Sequence, residues 1–433
     1  MSKLNSINFT NKTKFTNLVL LCTVFTAIFI PGHMYGWLLE KIFGILLTLI
    51  ALTFVSFNGL RKTIWGVSFK DVLLLFLFLQ TLFVLGYLYT ISLAQEETGV
   101  RDYVNIYKYI IQALIILFVT FSLKSFPLLI LERMIKISLL FALIVFVCFL
   151  IDVPILTPLF RNVIYAEAKM RFGIGLFRTT APFENPNYLG FYLLMALNYL
   201  LFFSRSKNRR FYLLLCVMLL FATGSRSAWA SAIIVLMFYY FLHVISLSGP
   251  SKKTDTFSGR LSVAILAPVL VVGLGCVFWD QLSKVRRLME IVDSFGSGGA
   301  QQVASATARF NSFTELTEVI TISPLFGNGT YKYTLYQVID SQIFSWLLSI
   351  GFVGTSVVLI FYILVFVAQL KVSSCRQHSF GVLSFWASLF AMLQAGAFLD
   401  NVRMFFLFVI FITMVHFVLN YDVHNKNSHK DIS

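Results

Sequence analysis

Three arginines, one of them at a helix start that disfavours positive charge, are the first chemical signal in this sequence. Arg226 lies in Thr223-Gly224-Ser225-Arg226-Ser227, a short polar break between two apolar runs. Arg178 opens the segment Arg178-Thr179-Thr180-Ala181-Pro182-Phe183-Glu184-Asn185-Pro186-Asn187, and Arg309 precedes a helical pattern of Phe310, Phe313, Leu316 and Ile320. At the start of a helix an arginine opposes the helix dipole, so Arg226 calls for a compensating anion. A guanidinium fork suits two phosphate oxygens at once; the intramolecular alternative is a carboxylate such as Glu184. Arg309 is an ordinary solvated arginine when taken alone, within reach of Glu315 or of a ligand. Asn185 suits a helix N-cap with Pro186 in the first turn, whereas Asn187 can offer its amide to sugar hydroxyls. Ser225 can cap the helix that starts at Arg226. Asp340 and Ser341 open a further helix, with a capping role for Asp340 as plausible as a chemical one.

The elements that must position these residues are membrane spans. Of 433 residues, 58% are apolar and only 12% charged, and the mean hydropathy is +0.83, which excludes a water-soluble globule. Apolar runs long enough to cross a bilayer occur at about 16–35, 37–57, 72–94, 106–122, 135–151, 187–204, 211–224, 227–247, 261–279, 342–369, 381–398 and 402–420. The expectation is an all-α polytopic membrane protein, a single integral domain over residues 1–433 with about twelve transmembrane helices. The first run lacks a small-residue cleavage pattern and reads as a retained helix. If both termini share one side, the loops there hold 20 basic against 5 acidic residues, and those opposite hold 12 against 13. The positive-inside rule makes the basic side, with both termini, cytoplasmic. This scatter of basic residues through short loops accounts for the net charge of +15 without nucleic acid. Two long loops, 152–186 and 280–341, then fall on the extracytoplasmic side. The second lies between the ninth and tenth spans and carries amphipathic helices: Leu282, Val285, Leu288, Met289 and Val292 recur at helical spacing, and a Gly-rich break at 296–299 precedes the next helix.

Even-numbered spans run inward, so the sixth, eighth and tenth present their N-termini outward beside Asn185, Arg226 and Asp340. Asp400 and Arg403, at the start of the twelfth, are spaced i,i+3 and are expected to pair with each other. Gly351-Phe352-Val353-Gly354 reads as a close-packing motif. The five cysteines form no disulfide framework. The outer loops carry no Asp-x-Asp, no His/Cys cluster and no Walker-type loop, a pattern that speaks against metal or nucleotide chemistry.

Taken in order, Arg178-x-x-x-Pro182-Phe183-x-Asn185-Pro186-Asn187-x-x-Gly190, Thr223-Gly224-Ser225-Arg226-Ser227, Arg309 with Pro324-Leu325-Phe326-Gly327-x-Gly329, and Asp340-Ser341 with Gly351-x-x-Gly354 resemble the O-antigen ligase and O-antigen polymerase superfamily. The resemblance covers residues 170–355. It implies transfer of a glycan from a polyprenyl-pyrophosphate carrier to a sugar hydroxyl at the outer face of the bacterial inner membrane, without metal, nucleotide or other cofactor. It places Arg178, Arg226 and Arg309 near the pyrophosphate. For such a transfer the expected catalytic residues are Arg226, Arg309 and Asp340, the last accepting the proton of the attacking hydroxyl or orienting it, and Arg178, Asn185, Asn187, Ser225 and Ser341 are expected to bind substrate. Ligases carry His where this chain has Asp340, which favours a polymerase that joins lipid-linked repeat units, with a chain-length regulator as a possible partner. Transfer onto lipid A-core by a ligase is the first alternative. A transporter or flippase of an anionic substrate is the second; it requires cations deep within spans, and only Lys41 and Lys108 fall within them.

Overall fold

A computed structural model describes residues 11–29, 63–64, 67–94, 108–121, 127–160, 179–183, 185–247, 317–329, 341–373, 375–394 and 396–430. Ten long helices occur among them: α1 (Asn11–Phe29), α2 (Phe69–Ala94), α3 (Lys108–Phe121), α4 (Leu128–Ile151), α5 (Pro186–Phe202), α6 (Arg209–Ala222), α7 (Arg226–Leu247), α8 (Gln342–Val372), α9 (Arg376–Leu393) and α10 (Val402–Lys430). Each coincides with one expected span. The expected spans 37–57 and 261–279 lie outside the described residues. The all-α expectation has one small exception, an antiparallel ladder pairing Thr63 with Ser68 and Ile64 with Val67.

Helix α4 shows why these helices belong in a bilayer. Ile130, Ile137 and Ile144 are exposed on one face, while Leu131, Ile135, Leu139, Ala142 and Val145 are buried on the other. A helix apolar on both its exposed and buried faces is suited to hydrocarbon rather than water. Among the described residues α4, α8 and Val402–Asn420 of α10 are long and apolar enough to cross a membrane, and the apolar stretches Asn17–Phe29 and Leu74–Tyr89 are shorter. The protein is a multi-pass membrane protein.

Helices α5 and α10 form the centre. Almost every side chain from Leu189 to Phe202 is buried, as is nearly all of 403–415. Around them pack α1, α3, α7, α8 and α9, with α6 against α4 and α5. The seam between α5 and α9 uses small residues: a Cβ on Gly381 would meet the Cβ of Phe202 at 2.6 Å. Ser384 Oγ donates to Asn198 Oδ1 (2.7 Å), and Asn198 Nδ2 donates to Ser388 Oγ (3.1 Å) and to the Leu194 carbonyl (3.1 Å). Such interhelical bonds satisfy polar groups that hydrocarbon cannot.

Several helix bounds are shifted by a few residues from the sequence reading, and two differences have a clear physical cause, one electrostatic and one in the backbone. Helix α4 begins at Leu128, not near 135, and carries buried Glu132 within it. That carboxylate accepts from Lys136 Nζ (2.7 Å), Ser204 Oγ (2.7 Å) and Tyr199 Oη (3.3 Å), so the charge enters the bundle already neutralised.

The Gly351-x-x-Gly354 motif proves to be a break rather than only a packing surface. Gly351 has φ 62° and ψ −169° within α8, a conformation essentially reserved for glycine. The break frees two N–H groups, which the segment 323–329 accepts by docking into it. Phe352 N–H donates to the Pro324 carbonyl (2.8 Å) and Val353 N–H to the Leu325 carbonyl (3.2 Å). Asn328 N–H in turn donates to the Leu348 carbonyl (2.6 Å). Gly327, at φ 77°, makes the turn and lies between the Ser349–Gly351 backbone and Gly86 of α2. Irregular backbone inside a membrane bundle is tolerated when protein groups satisfy what it frees, as these three bonds do for Phe352, Val353 and Leu348.

Candidate active site

The N-termini of α5, α7, α8 and α10 meet at one end of the bundle. A Cβ on Gly190 of α5 would touch Ala228 Cβ (2.8 Å) and Ser225 Cβ (3.7 Å), which brings the first turns of α5 and α7 together. Thr179 N–H donates to the Ala222 carbonyl (2.9 Å), tying the segment before α5 to the end of α6. Phe398 stacks on Phe191 of α5, with ring centroids 4.9 Å apart and planes at 5°. Gln342, the first residue of α8, donates to Asp400 Oδ1 (2.8 Å) and accepts from Leu399 N–H (2.7 Å). Four helix starts in one place concentrate free N–H groups and partial positive charge, which suits a bound anion.

Each start is built by its local sequence. Asn185 is the N-cap of α5: its Oδ1 accepts from Asn187 N–H (2.8 Å), and Pro186 occupies the first turn as expected. The turn into α7 is tight. Thr223 Oγ1 donates to the Leu220 carbonyl (2.7 Å) and accepts from Ser225 N–H (3.2 Å), while Trp229 Nε1 also reaches the Leu220 carbonyl (2.9 Å). Ser225 supplies its carbonyl to Trp229 N–H (3.0 Å), and its Oγ lies 3.2 Å from Ser227 Oγ. Arg226 is then held, half-buried, in the first turn of α7.

At α8 the cap position belongs to Ser341, not Asp340, because Ser341 is the extended residue (φ −146°, ψ 133°) directly before the helix. Its hydroxyl makes no capping bond. Ser341 Oγ and Thr180 Oγ1 are both buried without a hydrogen-bond partner. A buried hydroxyl left unsatisfied costs about 1–3 kcal/mol, so two of them on segments at this end are groups a polar ligand can satisfy.

The expected Asp400–Arg403 pairing gives way to a different arrangement. Phe398–Asp400 form a 3-10 turn and α10 begins only at Val402, so the helical i,i+3 geometry does not apply. Asp400 accepts instead from Gln342 and from Ser345 Oγ. Buried Arg403 donates through Nε to the Ala27 carbonyl and through Nη2 to the carbonyls of Ile28 (3.1 Å) and Pro182 (3.3 Å). Its guanidinium lies over the Phe183 ring at 4.6 Å. This arginine joins the end of α1 to the segment before α5. Gln112 of α3 donates to the Leu399 carbonyl (2.8 Å), which completes the junction.

Of the residues singled out in the sequence, Asn185, Asn187, Ser225, Arg226 and Ser341 come together at this end. Arg178, Arg309 and Asp340 lie outside the described residues, as does Glu184. Gln342, Ser345 and Asp400 were not read as site residues. The signal for two of them was present: Gln342, Ser345 and Ser349 recur at i, i+3 and i+7, a polar stripe on an otherwise apolar helix. No group of three or more His, Cys, Asp or Glu side chains occurs among the described residues.

Residues 211–359 match the family model described as O-antigen ligase. The matched stretch runs from α6 through the Gly351 break and includes Ser225, Arg226, Arg309, Asp340 and Ser341, while Arg178, Asn185 and Asn187 precede it. The match supports the O-antigen ligase and polymerase superfamily, and with it an enzyme of glycosyltransferase type. No curated protein matches the chain.

Proposed function

We propose that the chain is a polysaccharide polymerase. It transfers a glycan from a polyprenyl-pyrophosphate donor to the sugar hydroxyl of a second lipid-linked repeat unit. On this reading the site faces outward from the bacterial inner membrane, both termini are cytoplasmic, and a chain-length regulator is a partner. The observation that carries it is the position of Arg226: first turn of α7, half-buried, at the end where α5, α8 and α10 also start, and inside the stretch that matches the family.

The chemistry asks little of the protein beyond charge and geometry. The acceptor oxygen bonds to the anomeric carbon, the bond from that carbon to the phosphate oxygen breaks, and the electron pair leaves with the pyrophosphate. The acceptor proton departs with the displaced diphosphate or to a nearby carboxylate. Because the donor already carries a good leaving group, stabilising the departing negative charge dominates. Arg178, Arg226 and Arg309 are assigned to that charge, each as a charge-assisted contact of about 1.5–3 kcal/mol. Asp340 orients the attacking hydroxyl, and Asn185, Asn187, Ser225 and Ser341 bind the sugars and phosphates. Direct displacement inverts the anomeric centre; product NMR showing a retained configuration would contradict it.

The ligase reading is kept because the matched family is described by that activity. The pattern of product separates the two. Deleting a polymerase leaves single repeat units attached to the final acceptor, whereas deleting a ligase leaves none. Arg226→Ala expressed at normal level in the deletion strain is expected to abolish the polysaccharide ladder. A full-length ladder from that variant refutes the proposal.

A further inference from the structure

A cavity of about 280 Å³ opens between α8, α9 and α10, outside the polar end just described. Its walls are largely aromatic: Trp346, Tyr362, Phe366, Trp386, Phe390 and Phe408. These rings pack against one another, Tyr362 with Trp386 at 6.0 Å between centroids and Trp386 with Phe408 at 6.2 Å. Of the wall side chains with a donor, Trp386 has its Nε1 occupied by Gln369 Oε1 (2.8 Å). Among the described residues no charged side chain lines the cavity, and the walls that are described suit an apolar occupant. Two lining residues are also on the outer surface of the bundle, Ile363 at 56% exposure and Phe390 at 53%, so the cavity opens sideways into the bilayer.

Its position decides which apolar molecule. One rim is Ile343, two residues after Ser341 and next to Gln342, and another is Leu393, the last residue of α9. The cavity thus begins directly beneath the convergent helix N-termini. A lipid whose charged head sits at that polar end has its first chain units at Ile343 and Leu393. The volume points the same way: a dry cavity of about 150 Å³ takes one benzene ring, so this one takes roughly two five-carbon units. Flat unsaturated units with methyl branches suit offset contacts with aromatic walls.

We propose that this groove seats the first isoprene units of the polyprenyl tail, and so fixes the depth of the pyrophosphate relative to Arg226. The assignment rests on the glycan-transfer reading and adds the place where the carrier's chain is held. The tail enters laterally between α8 and α9, past Ile363 and Phe390.

The test uses full-length protein in lipid nanodiscs and geranylgeranyl pyrophosphate carrying a diazirine in its second isoprene unit. A phosphatidylglycerol with a diazirine in one acyl chain is the parallel probe. The pyrophosphate probe is expected to label peptides containing Ile363, Trp386 or Phe390, and unlabelled geranylgeranyl pyrophosphate, but not excess phosphatidylglycerol, is expected to suppress it. Ile363→Trp fills the lipid-facing mouth without touching the buried core and is expected to reduce labelling about fourfold, the worth of roughly one buried methylene group. Labelling outside the groove, equal labelling by the phospholipid probe, or labelling unchanged in Ile363→Trp overturns the assignment. Polymer formation by Arg226→Ala is scored separately. Its loss combined with labelling elsewhere removes only the groove; its retention removes the transfer reading, whatever the groove binds.

Discussion

Replacing Gly351 by alanine tests whether the docked break in α8 holds the site together. At φ 62° and ψ −169° an alanine is strained by about 1–3 kcal/mol. Its methyl also points into the backbone of Leu325 and lies 2.5 Å from Phe326 N, atoms that cannot step aside alone. If segment 323–329 retreats, Phe352 N–H and Val353 N–H lose the carbonyls of Pro324 and Leu325, at about 1 kcal/mol each. The expected loss is therefore about 3–5 kcal/mol. Gly354→Ala is the control. Gly354 lies within the helix, and its added methyl would meet Ile350 Cβ at 2.6 Å, an atom that a rotamer change does not move, so crowding has a cost here too. The gain in helix propensity of about 1 kcal/mol offsets part of it, and no left-handed backbone or docked loop is disturbed, so the expected loss is smaller than for Gly351→Ala. Equilibrium unfolding in mixed micelles titrated with sodium dodecyl sulfate measures both, with polysaccharide ladder length as the functional readout. Gly351→Ala as stable as Gly354→Ala would show that the break bears no strain and that the loop's docking is incidental.

Three further outcomes follow from the polar contacts. Arg226→Lys keeps the charge but loses the fork, and is expected to slow polymer formation about 10-fold or more in a reconstituted assay, less than Arg226→Ala. Gln342→Leu removes the bonds to Asp400 Oδ1 and Leu399 N–H, and is expected to cost about 2–4 kcal/mol in the same micelle titration; Gln342→Glu, which sets a second carboxylate against Asp400, is expected to be no better. Glu132→Ala leaves Lys136 without its carboxylate and is expected to cost about 3–5 kcal/mol, with Glu132→Gln milder because Tyr199 and Ser204 keep an acceptor.

The helices were legible because each is built on a long apolar run, and apolar length is a property of consecutive residues. So were the cap at Asn185 and the polar turn at 223–227, since each depends on neighbours within about four positions. Reading failed where a residue's partner is remote. The buried Glu132 looked like a loop residue because Tyr199 and Ser204 lie 67 and 72 positions away. Asp400 and Arg403 looked like a pair because nothing nearby announces Gln342, 58 positions before Asp400, or Ala27 and Ile28, 376 and 375 positions before Arg403.

Composition and apolar spacing alone settled that this chain lives in a bilayer as helices, and the order of polar motifs pointed to a resemblance that the family match over residues 211–359 supports. Only tertiary packing settled which helix starts converge, that Gly351 is a break filled by another segment, and that an aromatic groove lies under the polar end. The physical reason is range. Hydropathy and capping act along the chain, whereas in the interior of a bundle each buried polar group takes whichever partner the folded helices bring within hydrogen-bond distance.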